Sequence, residues 1–311
     1  MPTINGTNRP DNLSVPFFFS DLPYIINGFD GNDTIKGGSA DNTINGGLGN
    51  DSLVGGFGFD NKNTIDGGAG SDNIDGGFGN DSLQGGLGND NIDGGDGDDR
   101  IDGGAGNDNI DGGDGDDRID GGAGNDNIDG GSGNDSLVGG ADNDSLVGGA
   151  DNDSLFGGSG NDTISGDIGN NGNIIVLDNQ TNNTITFFGN NNLIIDGNKL
   201  TDVLTGGSGN DVFDFNSVLE SQPGSLRDVV TDFVGNGNSA GDRIDLSTID
   251  ANSNIAGNQA FTFIGTRAFS AAGQVRYSGS ILQASTDGDL SAEFEIGLTG
   301  TPPLVANDII L

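Results

Sequence analysis

Between residues 28 and 165 the chain repeats itself every nine residues, and this period limits its fold more than any other feature. The units Gly46–Val54 (GGLGNDSLV), Gly76–Gln84 (GGFGNDSLQ), Gly94–Asp102 (GGDGDDRID) and Gly157–Ser165 (GGSGNDTIS) display the frame. Fourteen units of nine and one of twelve fill the tract; the longer one, Gly55–Asp66, carries an insertion near Asn61–Asn63. The eighth position is Ile or Leu in every unit, from Ile35 to Ile164, and the sixth is Asp in all but one, where Asn42 stands. Such a register separates the tract from disordered acidic sequence of low complexity. Glycine at every third residue, as collagen requires, is absent, and no Glu occurs in residues 28–165 to close an EF-hand loop.

Each position has a physical reading. Glycines at the first, second and usually fourth positions permit a turn through positive φ. The x-Ile/Leu-x segment that follows has room for about three extended residues, the middle side chain pointing one way and its neighbours the other. Turn and strand in alternation make a coil. Two units per coil give two short parallel sheets that face each other over stacked Ile and Leu side chains. The expected fold class is all-β: a right-handed parallel β-roll (solenoid) of Gly/Asp-rich nonapeptides with a C-terminal β module.

Charge and missing residue types narrow the chemistry. The chain carries 48 acidic residues against 10 basic ones, a net charge of -38, and all the acids are Asp except Glu220, Glu293 and Glu295. That balance repels nucleic-acid phosphates and anionic membrane surfaces and favours cations. Cysteine and histidine are absent, which removes disulfides, thiolate and imidazole metal sites, His-based triads and zinc-protease motifs. Any metal is therefore held by oxygen alone, as calcium or magnesium are. Catalysis by carboxylates alone, as in glycosidases, places the pair in a cleft among aromatics; this chain has no Trp and only Tyr24 and Tyr277, so it is expected not to be an enzyme.

Outside the regular tract the organisation loosens. Residues 1–27 read as an N-terminal cap with one degenerate repeat, Gly6–Ser14 (GTNRPDNLS), which keeps Asp11 at the sixth position and Leu13 at the eighth. The run Phe17–Phe19 reads as a cover for the open end, with a membrane or ligand anchor as the other reading. Residues 28–165 are the roll, and residues 166–215 are an Asn-rich continuation. There Ile174, Val176, Ile185 and Phe187 alternate as in strands, and two repeats, Gly197–Thr205 and Gly206–Asp214, close it. Residues 216–311 form the C-terminal β module. No basic segment leads into an apolar run at the N-terminus, so no conventional cleavable signal peptide is expected, and no stretch approaches a membrane span in length.

The nonapeptides resemble the repeat of the RTX (repeats-in-toxin) family, G-G-x-G-x-D-x-U-x, which binds calcium in a β-roll. The resemblance implies that each sixth-position Asp ligates calcium together with backbone carbonyls of the glycine turns, between turns stacked on the same side. Carried over residue by residue, the ligands are Asp33, Asp51, Asp72, Asp81, Asp90, Asp99, Asp108, Asp117, Asp126, Asp135, Asp144, Asp153 and Asp162, with Asp60 from the unit that carries the insertion. Asn42 would weaken its own site, and the two later repeats add Asp202 and Asp211.

Residues from about 205 to 311 resemble the C-terminal module of serralysin-type secreted proteins. The likeness lies in the order DFVGNGNSAGDRIDLS, strands, an acidic turn and the hydrophobic end ANDIIL. It implies one-step export by a type I (ABC transporter) secretion apparatus, with Asp308 and Ile309–Leu311 read either as the address or as a plain edge strand. Asp242 with Asp245, and Asp287 with Asp289, read as solvated acidic turns or as further calcium sites. The zinc catalytic domain of serralysins has no counterpart here.

The expectation is thus a secreted, extracellular calcium-ion-binding protein that folds on calcium after type I export and is structural or surface-associated. The alternative is an auxiliary polysaccharide- or partner-binding module of a secreted enzyme system, like the rolls that accompany polysaccharide epimerases. It would meet a glycan or cell surface through the outward Asp93, Asp102, Asp111, Asp120 and Asp129, acidic ladders broken by Arg100 and Arg118. The competing reading of that face is simple solvation.

Overall fold

A computed structural model describes residues 1–16, 21–59, 61–165, 173–177, 184–186, 192–196, 201–206, 210–235, 241–300 and 302–311. Phe17–Phe19, Asp60 and Phe187 lie outside the described residues. Among those described, helix is confined to two short 3-10 turns, Gly224–Leu226 and Ala306–Asp308. No helix among them is long and apolar enough to cross a membrane. The chain divides into two compact units, Met1–Gly157 and Gly158–Leu311.

In the first unit successive repeats fall alternately on two parallel sheets. One runs through Thr43–Leu48, Thr64–Ala69, Ser82–Leu87, Arg100–Ala105, Arg118–Ala123 and Ser136–Ala141. The other runs through Ser52–Val54, Asn73–Phe78, Asn91–Asp96, Asn109–Asp114 and Asn127–Ser132. Ile92 pairs with Ile74 on one side and Ile110 on the other, so a coil spans two repeats. The insertion lengthens one coil on each sheet, pairing Ile44 with Ile65 and Leu53 with Ile74. The degenerate N-terminal repeat joins the same ladder, with Leu13 opposite Ile35.

The eighth-position side chains form the core: Ile35, Ile44, Leu53, Ile101, Ile110 and Ile119 are all at most 1 % exposed. Alternation along the strand also turns the sixth and first positions inward, so that Asp, Ile or Leu, and Gly make three parallel inner rows. The strands are longer than the three residues expected. Asn91–Asp96 runs six residues through its double glycine, and Gly95 pairs with Gly113 in the next coil. The two glycines serve different needs. Gly95 bends the chain at a φ of 103°, whereas Gly94 faces inward and gives up its side chain for want of space.

The second unit has the same two-sheet plan at its start. One sheet holds Asn173–Leu177, Asn192–Asp196, Val212–Asp214, Arg243–Asp245 and Ile309–Ile310, all parallel. The other passes through Thr163–Ser165, Thr184–Thr186, Val203–Thr205, Asp228–Val230 and Phe294–Leu298. It then turns antiparallel at Ile281–Ser285 and Gln274–Ser278. Larger side chains fill the core here. Phe215 meets Phe294 edge-on at 5.2 Å between ring centres, and both are fully buried, as are Ile244, Leu246 and Leu282. The hydrophobic end is a strand, with Ile309 opposite Ile244.

Because the inner row is close-packed, Ile110→Ala should lower stability in calcium by about 2–5 kcal/mol. Leu87→Ala, at a third position that is 62 % exposed, should change it by less than about 0.5 kcal/mol. Urea unfolding of the two variants measures both, and equal losses would refute the inward row.

Candidate metal centre

The sixth-position aspartates stand in two columns, one beside each sheet. Asp33, Asp51, Asp72, Asp90, Asp108, Asp126 and Asp144 form the first, and Asp81, Asp99, Asp117, Asp135 and Asp153 the second. Every one of them is at most 3 % exposed. Within a column each rung is tied to the next in the same way. The backbone N–H of Asp90 donates to Asp108 Oδ1 at 2.8 Å, and that of Asp108 to Asp126 Oδ1 at 2.8 Å.

The other carboxylate oxygen points into the roll. Oδ2 of Asp72, Asp90, Asp99, Asp108 and Asp117 is buried and has no hydrogen-bond partner, and the same holds for Asp33, Asp51, Asp81, Asp126 and Asp135. It lies against the first glycine of its own repeat, and the carbonyl of the first glycine in the next coil converges on the same place. A methyl group on Gly112 would sit 2.4 Å from both Asp117 Oδ2 and the Gly130 carbonyl oxygen. Both oxygens are acceptors and no N–H or O–H stands between them, so each such rung is short of positive charge.

Two rungs of the second column differ. Asn42 Nδ2 donates to the Gly55 carbonyl at 3.2 Å, and Asn63 Nδ2 to the Gly76 carbonyl at 3.1 Å. In both, an amide supplies the donor that the carboxylate rungs lack. Asn63 also settles the register of the long repeat: its N–H donates to Asp81 Oδ1 at 2.6 Å, and Asn42 N–H donates to Asn63 Oδ1 at 3.1 Å. The column position of this repeat therefore holds Asn63. Counting back two residues from the buried Ile65 would have found it.

Burial sets the acidity of the columns. It raises the carboxyls of Asp81, Asp99 and Asp117 to about 7 and those of Asp72, Asp108, Asp126 and Asp135 to about 6. The backbone N–H that each receives opposes the rise, and neighbouring carboxylates add to it. At the N-terminal end Asp11 closes its rung differently, since its Oδ2 accepts the Thr7 N–H at 2.6 Å.

The remaining expected ligands lie in the second unit. Asp162 and Asp202 are buried, and Asp211 has no exposure at all. The outward acids separate by sheet: Asp75, Asp93, Asp111 and Asp129 share one column with an amide ladder, Asn91 Nδ2 donating to Asn73 Oδ1 at 2.9 Å. Asp102 and Asp120 sit on the other sheet, and Arg100 and Arg118 accompany these two alone. Asp245 is spent on a turn, its Oδ1 accepting the Ser247 N–H at 2.8 Å. Asp287 and Asp289 gather with Glu293, their carboxylate oxygens within 4.8 Å of one another on an open loop.

Comparison with known proteins places this geometry. A family model described as the RTX calcium-binding nonapeptide repeat matches residues 27–61, 62–83, 75–110, 102–137, 138–172 and 194–217. Among solved structures, the solution structure of the AlgE6R3 subunit from the Azotobacter vinelandii mannuronan C5-epimerase is 25 % identical. It covers 55 % of this chain and 78 % of its own, with a TM-score of 0.31. No curated protein matches the chain.

The raised carboxyls fix the pH response of the metal-free chain. A buried Asp with a pKa above its unfolded value contributes stability that is complete below about pH 4 and is lost as the pH rises through the folded pKa. In chelator, the far-ultraviolet β signal should be strongest near pH 4–5 and fall as the pH passes through about 6 to 7. A signal constant from pH 4 to 8 would refute the buried, ion-poor columns.

Proposed function

The chain belongs to the family of RTX calcium-binding nonapeptide repeats, and we propose that it is a secreted protein whose roll closes on extracellular calcium, with a structural or surface-associated rather than catalytic role. Support comes from the contrast inside one column. Where Asn42 and Asn63 stand, an amide donor meets the glycine carbonyl; at Asp81, Asp99 and Asp117 the buried Oδ2 that meets it is itself an acceptor. A cation of the calcium class, when bound, supplies the charge that those rungs lack, and it takes six to eight oxygens in flexible geometry. The sixth-position aspartates of both columns would hold it, together with the carbonyl of the first glycine in the next coil.

The chain's own residues do the rest. The N–H of each preceding rung holds Oδ1 and keeps the carboxylate aimed inward, while the Ile and Leu row keeps water out. Without the ion, carboxylates in a column repel one another and resist burial, so the tract stays open. That state suits passage through a narrow type I export channel at low cytoplasmic calcium. Outside, calcium near millimolar fills sites with dissociation constants of about 10⁻⁴–10⁻³ M. Each site at ten times its dissociation constant adds about 1.4 kcal/mol. The outward column of Asp75, Asp93, Asp111 and Asp129 repels an anionic glycan, which favours a solvated face over a polysaccharide-binding one.

Calcium titration at neutral pH, followed by calorimetry and circular dichroism together, should convert a disordered chain into a β-rich one, and chelator should reverse it. A spectrum already β-rich in chelator and indifferent to calcium would overturn the reading. Asp108→Asn imitates the Asn rungs. It should bind one ion fewer and be more stable in chelator by about 1–3 kcal/mol, the cost of a buried unsatisfied group. In a bacterial host the chain should reach the medium only when a type I exporter is present; equal release without one would exclude this route.

A further inference from the structure

Each coil passes from one sheet to the other at a turn, so the first unit has two turn edges, and they differ in charge. At the turns that follow the sheet of Thr43–Leu48, the third-position residues Leu48, Ala69, Leu87, Ala105 and Ala123 stack by strand pairing into one row. Two residues on, the exposed Asn50, Ser71, Asn89, Asn107 and Asn125 make a second row beside it. The residues between the rows are all glycine, so this edge carries no charge from Leu48 to Asn125. The turns after the other sheet are acidic: Asp96 and Asp114 stand at third positions, Asp98 and Asp116 at fifth. In a chain of net charge -38, the neutral edge departs from the composition around it.

The amide row is fixed from coil to coil. Asn89 Oδ1 accepts the Asn107 N–H at 2.9 Å, and Asn107 Oδ1 accepts the Asn125 N–H at 2.7 Å. Asn50 Oδ1 accepts the Ser71 N–H at 3.1 Å, and Ser71 Oγ accepts the Asn89 N–H at 3.3 Å. With Oδ1 so engaged, the Nδ2 groups of Asn50, Asn89 and Asn107 donate to no other group among the described residues. Beside them Leu48 and Leu87 are 56 % and 62 % exposed. The edge thus offers apolar side chains and held N–H donors in parallel rows, both repeating at the coil spacing of about 4.8 Å.

We propose that this edge is a docking strip for a single chain of an extended, uncharged polysaccharide, its C–H surface on the Leu and Ala row and its oxygens on the amide donors. The inference deepens the surface-associated reading and rests on the roll being closed by calcium. Width and charge choose the occupant. The strip is three residues across and about 20 Å long, which gives roughly 200 Å². Two copies of this chain would need about 800 Å² from each for a stable pair. A polysaccharide chain is itself narrow, and it repeats acceptor oxygens and C–H surface along its length as the strip repeats donors and apolar side chains. Asp93 and Asp111 on the adjoining sheet, with the net charge, repel nucleic acid and anionic glycans but not a neutral chain. Donors held in place before contact lose little freedom on binding.

In calcium, with the β signal followed by circular dichroism, the natural chain should be retained by microcrystalline cellulose or by chitin. Retention should persist in about 1 M sodium chloride, which screens charges beyond about 3 Å. Leu87→Asp combined with Ala105→Asp gives this edge the residue that the other edge carries at Asp96 and Asp114, and should cut retention about tenfold or more. Asn107→Asp, a residue that the turn at Asp116 already accepts, should weaken it in the same direction and decides the matter if the double variant does not fold. No retention of the β-rich natural chain by either polymer, or undiminished retention of the folded variants, would overturn the strip and leave the calcium reading standing. So would a dimer in sedimentation equilibrium that these substitutions abolish, since the strip would then face a second copy. A chain that gains no β structure in calcium would overturn both.

Discussion

Two oxygen acceptors held face to face, an Asp carboxylate and the carbonyl of a glycine in the next coil, are the constraint around which the first unit is built. The carboxylate cannot escape it. Oδ1 is fixed by the N–H of the preceding rung, and rotation toward solvent would break that bond and open the row of Ile and Leu beside it. Electrostatics in such a low-dielectric place are strong in both directions: an unpaired charge is costly, and a paired one holds tightly. The remaining geometry, from the small residue at Gly112 to the stacked coils, follows from keeping these oxygens buried and close.

The apolar row and the acidic row are therefore not separate devices. They lie two residues apart along the chain and face the same side, Asp108 just before the strand Asn109–Asp114 and Ile110 within it, and the alternation that buries Ile110 also buries Asp108. Packing alone would close the roll if the sixth position were neutral. With Asp there, the coil that brings Ile110 against Ile92 and Ile128 must also desolvate a column of charges. Where the sixth position is Asp, a strand cannot complete its hydrophobic contact without presenting its carboxylate, and the proposed coupling of folding to calcium rests on this.

Much of this was legible in the sequence. The nine-residue period specified the alternation between sheets, the inward Ile and Leu, and the aspartates that share a column. The role of Gly94 was not legible, because a missing side chain reads the same whether conformation or space demands it; only the nearness of Asp99 Oδ2 separates the two. Asn63 was hidden by counting forward from the double glycine through an insertion, although the buried Ile65 marks the register from the other end. Asp228, whose Oδ1 accepts the Asp202 N–H, carried no signal of period at all. Its place depends on strand pairing across 26 residues, which spacing along the chain does not encode.

The preference for Asp over Glu follows from the same rung. Asp carries its carboxylate close to its own strand, so one oxygen reaches the neighbouring N–H at 2.6–3.0 Å while the other rests against a glycine. A further methylene would push the carboxyl past that glycine and add rotamer entropy to be lost on burial. Asn has the same reach, and this is why Asn42 and Asn63 fit the column without disturbing it. They occupy consecutive rungs beside the long repeat, where an amide donates to the glycine carbonyl that elsewhere faces a carboxylate. The roll thus contains one stretch whose rungs close on their own hydrogen bonds, set among rungs whose carboxylates, on the proposed reading, close on calcium.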